Sequence, residues 1–340
     1  MIGRTSPHRT QERGTQNLMQ WVLLAMLPGI ALMTVFFGVG VLVNIGLAVT
    51  TGWLTELAIC KLRKRDAAPV LTDYSGVVAC TLLAVSLPPL APFWIAITGA
   101  LLTVGLAKQL FGGLGHNPFN PAMVGYAVLL ISFPVAMSTT WVDSAQTPSI
   151  GQTLAAQFAG VDGYAGATPL DRYKDLADRL TQSEILNDGV FAGQLTGHWT
   201  WLALAWLAGG LVMIAKRITY WHAPVGLLLG IALPAGLFGW DSDQFVPLSL
   251  HLTAGATVFA AFFIVTDPVS GATSPRGRLA FGLGAGLLTW VIRTYGGYPD
   301  AIAFGVLLMN LCAPLLDQYT RPRIYGHDRA RRGPVLEKRS

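Results

Sequence analysis

Cysteine and charge are scarce in this chain, and the motifs of soluble enzymes are missing. Three cysteines, Cys60, Cys80 and Cys312, lie far apart in apolar runs, and charged residues make up only 12% of the 340 residues. Without a CxxC pair, the chain encodes neither an iron–sulfur nor a zinc site, so we expect no metal site. No Ser-His-Asp, HExxH, P-loop or strand-linked GxGxxG pattern occurs, which argues against hydrolysis and nucleotide-driven transport. We therefore expect no catalytic residue in this chain alone.

What the chain has instead is a series of long apolar runs. Hydrophobic residues make up 52% of the sequence, and the mean hydropathy is +0.50. Runs of near-spanning length predict an all-α polytopic membrane protein with about ten transmembrane helices in the lipid bilayer. The first run lacks a small-residue cleavage site, so it is interpreted as a helix and not as a signal peptide. The runs lie at 18–38, 39–60, 74–90, 93–111, 121–139, 197–215, 223–240, 246–266, 279–295 and 300–317.

The distribution of basic residues predicts the orientation of these spans. With a cytoplasmic N-terminus and ten spans, all but four of the 23 lysines and arginines fall on the cytoplasmic side. The net charge of +5 is thus explained by the positive-inside rule and not by nucleic-acid binding. Both termini are predicted to be cytoplasmic, and residues 140–196 are predicted to lie on the other side of the membrane.

The chain divides around this external loop into two halves. Each half contains one Gly/Pro-interrupted polar motif, residues 112–121 and residues 266–278. Paired interruptions of this kind indicate internal repeats with a site at their interface, here two inverted five-helix repeats, although the two motifs do not follow equivalent spans. The predicted segments are a cytoplasmic N-terminus (1–18), a first transmembrane half (19–139), the external loop (140–196), a second half (197–317) and a basic tail (318–340).

One threonine hydroxyl stands out in the external loop. Thr168 follows small residues and precedes Pro169, which disfavours the helical region and predicts an exposed hydroxyl on extended backbone; the alternative is an ordinary solvated turn. Two other stretches also read small-Gly-Ala-Thr. Residues 254–257 are interpreted as a helix-packing face, and residues 270–273 either hold an anion, with Asp267 and two arginines nearby, or form a basic loop.

The sequence alone does not decide the roles of several other polar residues. Asn117 and Asn120 either donate to a flat polar ligand or simply end a helix before proline. His116 has no partner at metal-ligand spacing. Glu56 is expected to pair with the basic cluster at residues 61–65, and Lys108 is expected to extend to the membrane interface.

Three segments carry a family resemblance. The run from Phe111 to Gly125, with GGLGHNPFNPAMVG, resembles RnfD, a membrane component of the Rnf-type ion-translocating oxidoreductases. So do residues 262–279, FFIVTDPVSGATSPRGRL, and residues 294–327, with YGGYPD, PLLDQYTRPR and IYGH. The RnfD family is related to NqrB, a membrane component of the sodium-translocating NADH:quinone reductase. The resemblance covers most of the chain.

The resemblance implies a component of a complex that couples electron transfer between reduced ferredoxin and NAD to Na⁺ or H⁺ translocation, with the other Rnf subunits (A, B, C, E and G) as partners. It also implies a bacterial inner membrane, in which residues 140–196 are periplasmic. It also implies FMN joined through its phosphate to a threonine by a flavin transferase. On this chain the attachment motif is Asp162, Gly163, Tyr164, Ala165, Gly166, Ala167 and Thr168, with Thr168 as the anchor and Ala165 where a hydroxyl residue is usual.

The resemblance further implies a second, non-covalent flavin, riboflavin, for which Asn117, Asn120, Asp267 and Thr273 are the candidate residues. The alternative function is a small-solute or ion transporter or channel without a redox cofactor, which the two-half layout and the interrupted helices also fit.

Overall fold

The computed structural model describes residues 14–142, 147–160, 166–177, 179–181, 184–185, 197–239, 245–298 and 301–322. Within these ranges the chain is helical, and its only β-type pairing is an isolated bridge of Gly166 with Thr140 and Trp141. Four residues of the predicted attachment motif, Asp162, Gly163, Tyr164 and Ala165, lie outside the described residues.

Fifteen helices are described. The first half contains α1 (Thr15–Phe37), α2 (Gly40–Leu62), α3 (Ala68–Thr72), α4 (Ser75–Ser86), α5 (Phe93–Ala100, continued by a π-helical segment, Leu101–Gln109), α6 (Pro121–Ser132) and α7 (Pro134–Ser138). The segment between the halves contains α8 (Ile150–Ala159) and α9 (Pro169–Ala177). The second half contains α10 (His198–Ala215), α11 (His222–Phe238), α12 (Leu248–Thr253), α13 (Thr257–Phe259, continued by a π-helical segment, Ala260–Ile264), α14 (Pro275–Tyr295) and α15 (Ile302–Tyr319).

The prediction of an all-α polytopic membrane protein is confirmed. Each of the ten apolar runs contains at least one helix. Among the described helices, four are long and apolar enough to cross a membrane (α1, α2, α10 and α15), and four shorter ones are also apolar (α4, α5 with its π-helical segment, α6 and α11).

Glycines bring α11 and α14 into backbone contact. Gly226 and Gly230 lie four residues apart on α11, and Gly282 and Gly286 have the same spacing on α14. A Cβ at Gly230 would lie 2.3 Å from the Leu283 carbonyl oxygen, and each of the other three glycines is similarly close to the facing backbone. The pair is thus packed through small residues, as is usual for helices in lipid.

The two interrupted motifs meet in the interior. Asn120 caps α6 by accepting from the Met123 N–H, and its side chain donates to the Ile264 carbonyl at 3.2 Å. Asn310 of α15 accepts from the Asn120 N–H at 3.0 Å and donates to the Ser270 carbonyl at 3.0 Å. Each motif follows a π-helical segment and precedes a helix with proline in its first turn. The two motifs are therefore locally equivalent, although the first follows the fourth apolar run of its half and the second follows the third.

The helix-packing interpretation of residues 254–257 is wrong. Ala254 is extended, and Gly255 has φ +71°, so these residues break the eighth apolar run between α12 and α13. Thr257 begins α13 with its hydroxyl donating to the His251 carbonyl at 2.7 Å and accepting from Arg293. The break therefore turns a predicted continuous span into two short helices joined by polar contacts.

Candidate functional site

Thr168 is the residue that caps α9. The order Thr-Pro-Leu-Asp places a hydroxyl at the N-cap, proline at the first helical position and a carboxylate at the third, all of which favour a helix start. The Thr168 hydroxyl accepts from the Asp171 N–H at 3.2 Å and donates to Asp171 Oδ2 at 2.6 Å. The threonine is therefore held by its own helix and not by a flexible turn.

The expected exposure of Thr168 is wrong, because the residue is only 1% exposed. Helix α9 buries Leu170 and Tyr173 against Leu250 and Ala254 of the α12 region. This small apolar cluster docks α9, in the segment between the two halves, onto the α12 region and buries Thr168 with it.

Thr168 forms part of the wall of an aromatic pocket. Trp141, Trp199, Trp206 and Phe259 line the same pocket. The rings contact one another, with centroids 6.0 Å apart for Trp141 and Trp199 and 4.7 Å apart for Trp206 and Phe259. The break at Gly255 and Ala256 closes another side of the pocket. A hydroxyl is thus placed beside several large, flat apolar surfaces.

Gly166 and Ala167, the two described residues just before Thr168, differ in how they are held. The Gly166 N–H donates to the Thr139 carbonyl at 3.2 Å, which holds the segment beside Trp141. Ala167 is exposed. Of the predicted attachment residues that the structure describes, Gly166 and Thr168 are held in place, whereas Ala167 faces outward.

The Asp171 carboxyl is partly buried below the Thr168 hydroxyl. Burial raises the pKa of Asp171 above its usual value of 3.8. Its hydrogen bonds with Thr168 and the charge of Lys174 oppose this shift, while Asp175 adds to it. A carboxylate with a raised pKa is a better proton acceptor than an exposed one.

A second cavity lies near the junction of the two interrupted motifs. It measures about 150 Å³, compared with about 60 Å³ for the aromatic pocket. Asn117, Asn120 and Asp267 all line it, together with Ser75 and Lys108. Three of the four residues proposed from the resemblance for a second flavin are therefore brought together.

Thr273, the fourth, does not line that cavity. It is exposed, and its N–H donates to Asp317 Oδ1 at 2.8 Å. Asp267 accepts from the Ser270 hydroxyl at 2.5 Å and from the Ser270 N–H. The backbone N–H groups of Ser270 and Thr273 thus already donate to carboxylates, so they are not available to bind an anion at residues 270–273.

A buried ion pair adjoins the second cavity, which corrects the expectations for Glu56 and Lys108. Lys108 is 2% exposed and Glu56 is 3% exposed, and Lys108 Nζ lies 2.5 Å from Glu56 Oε1. Lys108 also donates to Ser75 Oγ at 2.6 Å, and Gln109 donates to Glu56. Lys108 therefore points into the protein and not toward the interface, and Glu56 does not pair with the basic cluster at residues 61–65.

Sequence reasoning missed two polar partners. Asp171 lies three residues after Thr168, the spacing of a capping box, so the pattern could have revealed it. Asn310 lies inside an apolar helix, and no local signal connects it to Asn120, which is 190 residues away along the chain.

Comparisons with known proteins agree on one family. Residues 2–326 match the model of the NQR2, RnfD, RnfE family. A Marinobacter nauticus protein, named as the D subunit of an ion-translocating oxidoreductase complex, is 48% identical, and the match covers 98% of this chain and 97% of that protein. A Klebsiella pneumoniae protein of the same name is 49% identical over 95% of this chain and 98% of that protein.

Proposed function

The chain belongs to the NQR2, RnfD, RnfE family, and from that premise we propose that it is a membrane subunit of a redox-driven ion pump carrying FMN on Thr168. Its relatives are named as the D subunit of an ion-translocating oxidoreductase complex. The observation that supports the flavin most directly is the position of the Thr168 hydroxyl in the wall of the aromatic pocket.

The described residues fit an FMN group joined through its phosphate. The hydroxyl of Thr168 is the atom that a phosphoester would use, and the tryptophans beside it offer flat surfaces for a ring system. A bound flavin would supply the electron transfer. The protein would hold the ring, restrict water access and keep the group from diffusing away.

We place the second, non-covalent flavin, riboflavin, in the cavity lined by Asn117, Asn120 and Asp267. This cavity contacts Val22 of α1, whereas the aromatic pocket contacts Met33 of the same helix. That separation corresponds to roughly 16 Å along the helix axis. Flavins in the two cavities would lie one above the other across the membrane, as an electron path through the protein requires.

The remaining parts of the proposal concern the complex. Electrons would pass between reduced ferredoxin and NAD, coupled to movement of Na⁺ or H⁺, with the other Rnf subunits (A, B, C, E and G) supplying the other redox centres. The part of this chain that the structure describes contains no cluster of metal-ligating side chains. The inner membrane, cytoplasmic termini, a periplasmic aromatic pocket and modification by a flavin transferase belong to the same proposal.

Covalent flavin is tested most directly at Thr168. The wild-type chain, coproduced with a flavin transferase, is expected to show a band fluorescing under ultraviolet light on a denaturing gel and an FMN adduct on the Thr168 peptide. Thr168→Ala should lose both signals, whereas Thr273→Ala and Thr257→Ala should keep them. Loss of the adduct in Thr273→Ala with retention in Thr168→Ala would contradict the assignment.

The same gel separates the proposal from the alternative function. A colourless protein that moves a solute or an ion across vesicle membranes without any electron donor would identify a transporter or channel.

A further inference from the structure

We propose that the Asp171 carboxylate orients the Thr168 hydroxyl and accepts its proton when the phosphoester forms, an inference that rests on the proposed attachment of FMN. The role concerns the modification of the chain and not the electron transfer that follows it. It assigns a function to a residue that the attachment motif does not include.

The attacking hydroxyl of Thr168 and the carboxylate that would accept its proton both lie at the first turn of α9. Asp171 Oδ2 accepts the Thr168 hydroxyl proton at 2.6 Å, and the Asp171 N–H donates to the same oxygen at 3.2 Å. A hydroxyl oxygen has two lone pairs. One is used by the N–H, so the other remains to attack phosphorus.

The contact does not depend on how α9 is docked. Both partners belong to the first turn of the helix, three residues apart, so the pair moves with α9 as a unit. A transferase that meets α9 away from the transmembrane helices would still find the hydroxyl bonded to the carboxylate.

When α9 is docked, the surroundings of the Asp171 carboxyl favour its protonated form. Partial burial raises the pKa of Asp171, and the neighbouring Asp175 acts in the same direction, while Lys174 acts against it. Lys174 donates to the Gly296 carbonyl after α14. On α12, which packs against α9, the ionisable side chain is His251, itself beside Arg293.

The reaction balances without a redox partner. The donor must be a flavin nucleotide in which FMN forms part of a phosphoanhydride, since an alcohol does not displace hydroxide from a phosphate monoester in water. Thr168 Oγ1 forms a bond to phosphorus, and the bond from phosphorus to the bridging oxygen breaks. The nucleotide monophosphate leaves, and the hydroxyl proton moves to Asp171 Oδ2.

The test measures the rate of attachment to the full-length chain. Flavin-free protein, produced in a host without the transferase, is incubated with purified transferase, Mg²⁺ and flavin adenine dinucleotide. Intact-mass spectrometry then follows the adduct from pH 5 to pH 9. Asp171→Asn keeps the size of the side chain and an oxygen that can accept from Thr168, so folding of α9 is preserved. Asp175→Asn removes an exposed carboxylate of the same helix and serves as the matched control.

We expect Asp171→Asn to slow attachment about a hundredfold, the scale of a lost general base. The lower-pH decrease in rate should disappear, and Asp171→Glu should recover part of the rate. Asp175→Asn should keep the wild-type rate at high pH, where Asp171 is ionised, and should keep a decrease in rate at lower pH. Attachment to Asp171→Asn at the wild-type rate with an unchanged pH profile would overturn the inference. A wild-type chain that acquires no mass at Thr168 even when it is coproduced with the transferase would refute the proposed flavin itself.

Discussion

At the scale of single residues, two buried charges of opposite sign are paired with each other. Glu56 and Lys108 share one ion pair in the first half. Two charges removed from water are tolerated when each satisfies the other, but either one alone is strongly unfavourable. This makes the pair a sensitive probe of the fold.

Lys108→Met is expected to destabilise the protein by about 3–5 kcal/mol, because it leaves Glu56 buried without its cation. Thermal unfolding in detergent would measure the loss. The control is Lys61→Met, which should change stability little because Lys61 is exposed near the end of the same helix as Glu56. The double variant Glu56→Gln/Lys108→Met should regain most of the loss, and a double variant as unstable as Lys108→Met would argue against the pairing.

Asp171 predicts a pH dependence of α9 docking. Burial raises the pKa of its carboxyl in the folded state above the unfolded value of 3.8, so the fold favours the protonated form. The contribution of Asp171 to the stability of docked α9 is complete below the pKa of the unfolded state and is lost as pH rises through the pKa of the folded state. Amide hydrogen exchange of α9, corrected for intrinsic rates, should therefore show protection that decreases with rising pH. Asp171→Asn should flatten this trend, and an unchanged slope would contradict it.

At the scale of elements, glycine faces and helix breaks decide the architecture. The backbones of α11 and α14 meet where Gly226 and Gly230 face Gly282 and Gly286. The same helix α11 also carries Gly236, where an added Cβ would meet nothing within 4 Å. Gly230 and Gly236 of α11 thus differ, because only Gly230 allows a close approach of another backbone.

Gly230→Ala should destabilise the protein by about 1–3 kcal/mol, because its Cβ would force the two helices apart. Gly236→Ala should be neutral or stabilising by up to about 1 kcal/mol, since alanine favours helix and no neighbour interferes. Unfolding midpoints of the two variants in the same detergent provide the comparison. Equal effects at both positions would show that helix propensity and not close packing governs α11.

Sequence patterns predicted the elements well where a pattern is local. The ten apolar runs all contain helix, and the prolines at 121 and 275 begin α6 and α14. The break at Gly255 was missed because an apolar run with one glycine reads as continuous, and only the positive φ reveals the interruption. Local hydropathy therefore predicts that a helix forms, but not where it is cut.

At the scale of the whole molecule, one asparagine links the two interrupted motifs. Asn310 of α15 contacts the backbone of both interrupted motifs, at Asn120 and Ser270. No sequence pattern predicts this junction, because its partners are far apart in the chain and come together only after the helices pack. For the same reason the family resemblance gave Thr273 as a candidate together with Asn117, Asn120 and Asp267, although Thr273 does not line their cavity.

Asn310→Leu should separate the motifs. It removes the acceptor of the Asn120 N–H and the donor to the Ser270 carbonyl, at a cost of about 1–3 kcal/mol for each buried group left unpaired. Thermal unfolding should show the loss, and non-covalent flavin should fall while flavin on Thr168 persists. Cys312→Ala, at an exposed position of the same helix, is the control. Full stability of Asn310→Leu would mean that the junction contributes nothing.

The burial of Thr168 also sets the order of events during biogenesis. A hydroxyl that is 1% exposed cannot enter the active site of another protein. If a transferase modifies it, the modification must come before Leu170 and Tyr173 settle against α12, or else during their transient release. Docking of α9 would then act as the final step of maturation, closing over a group that is already in place.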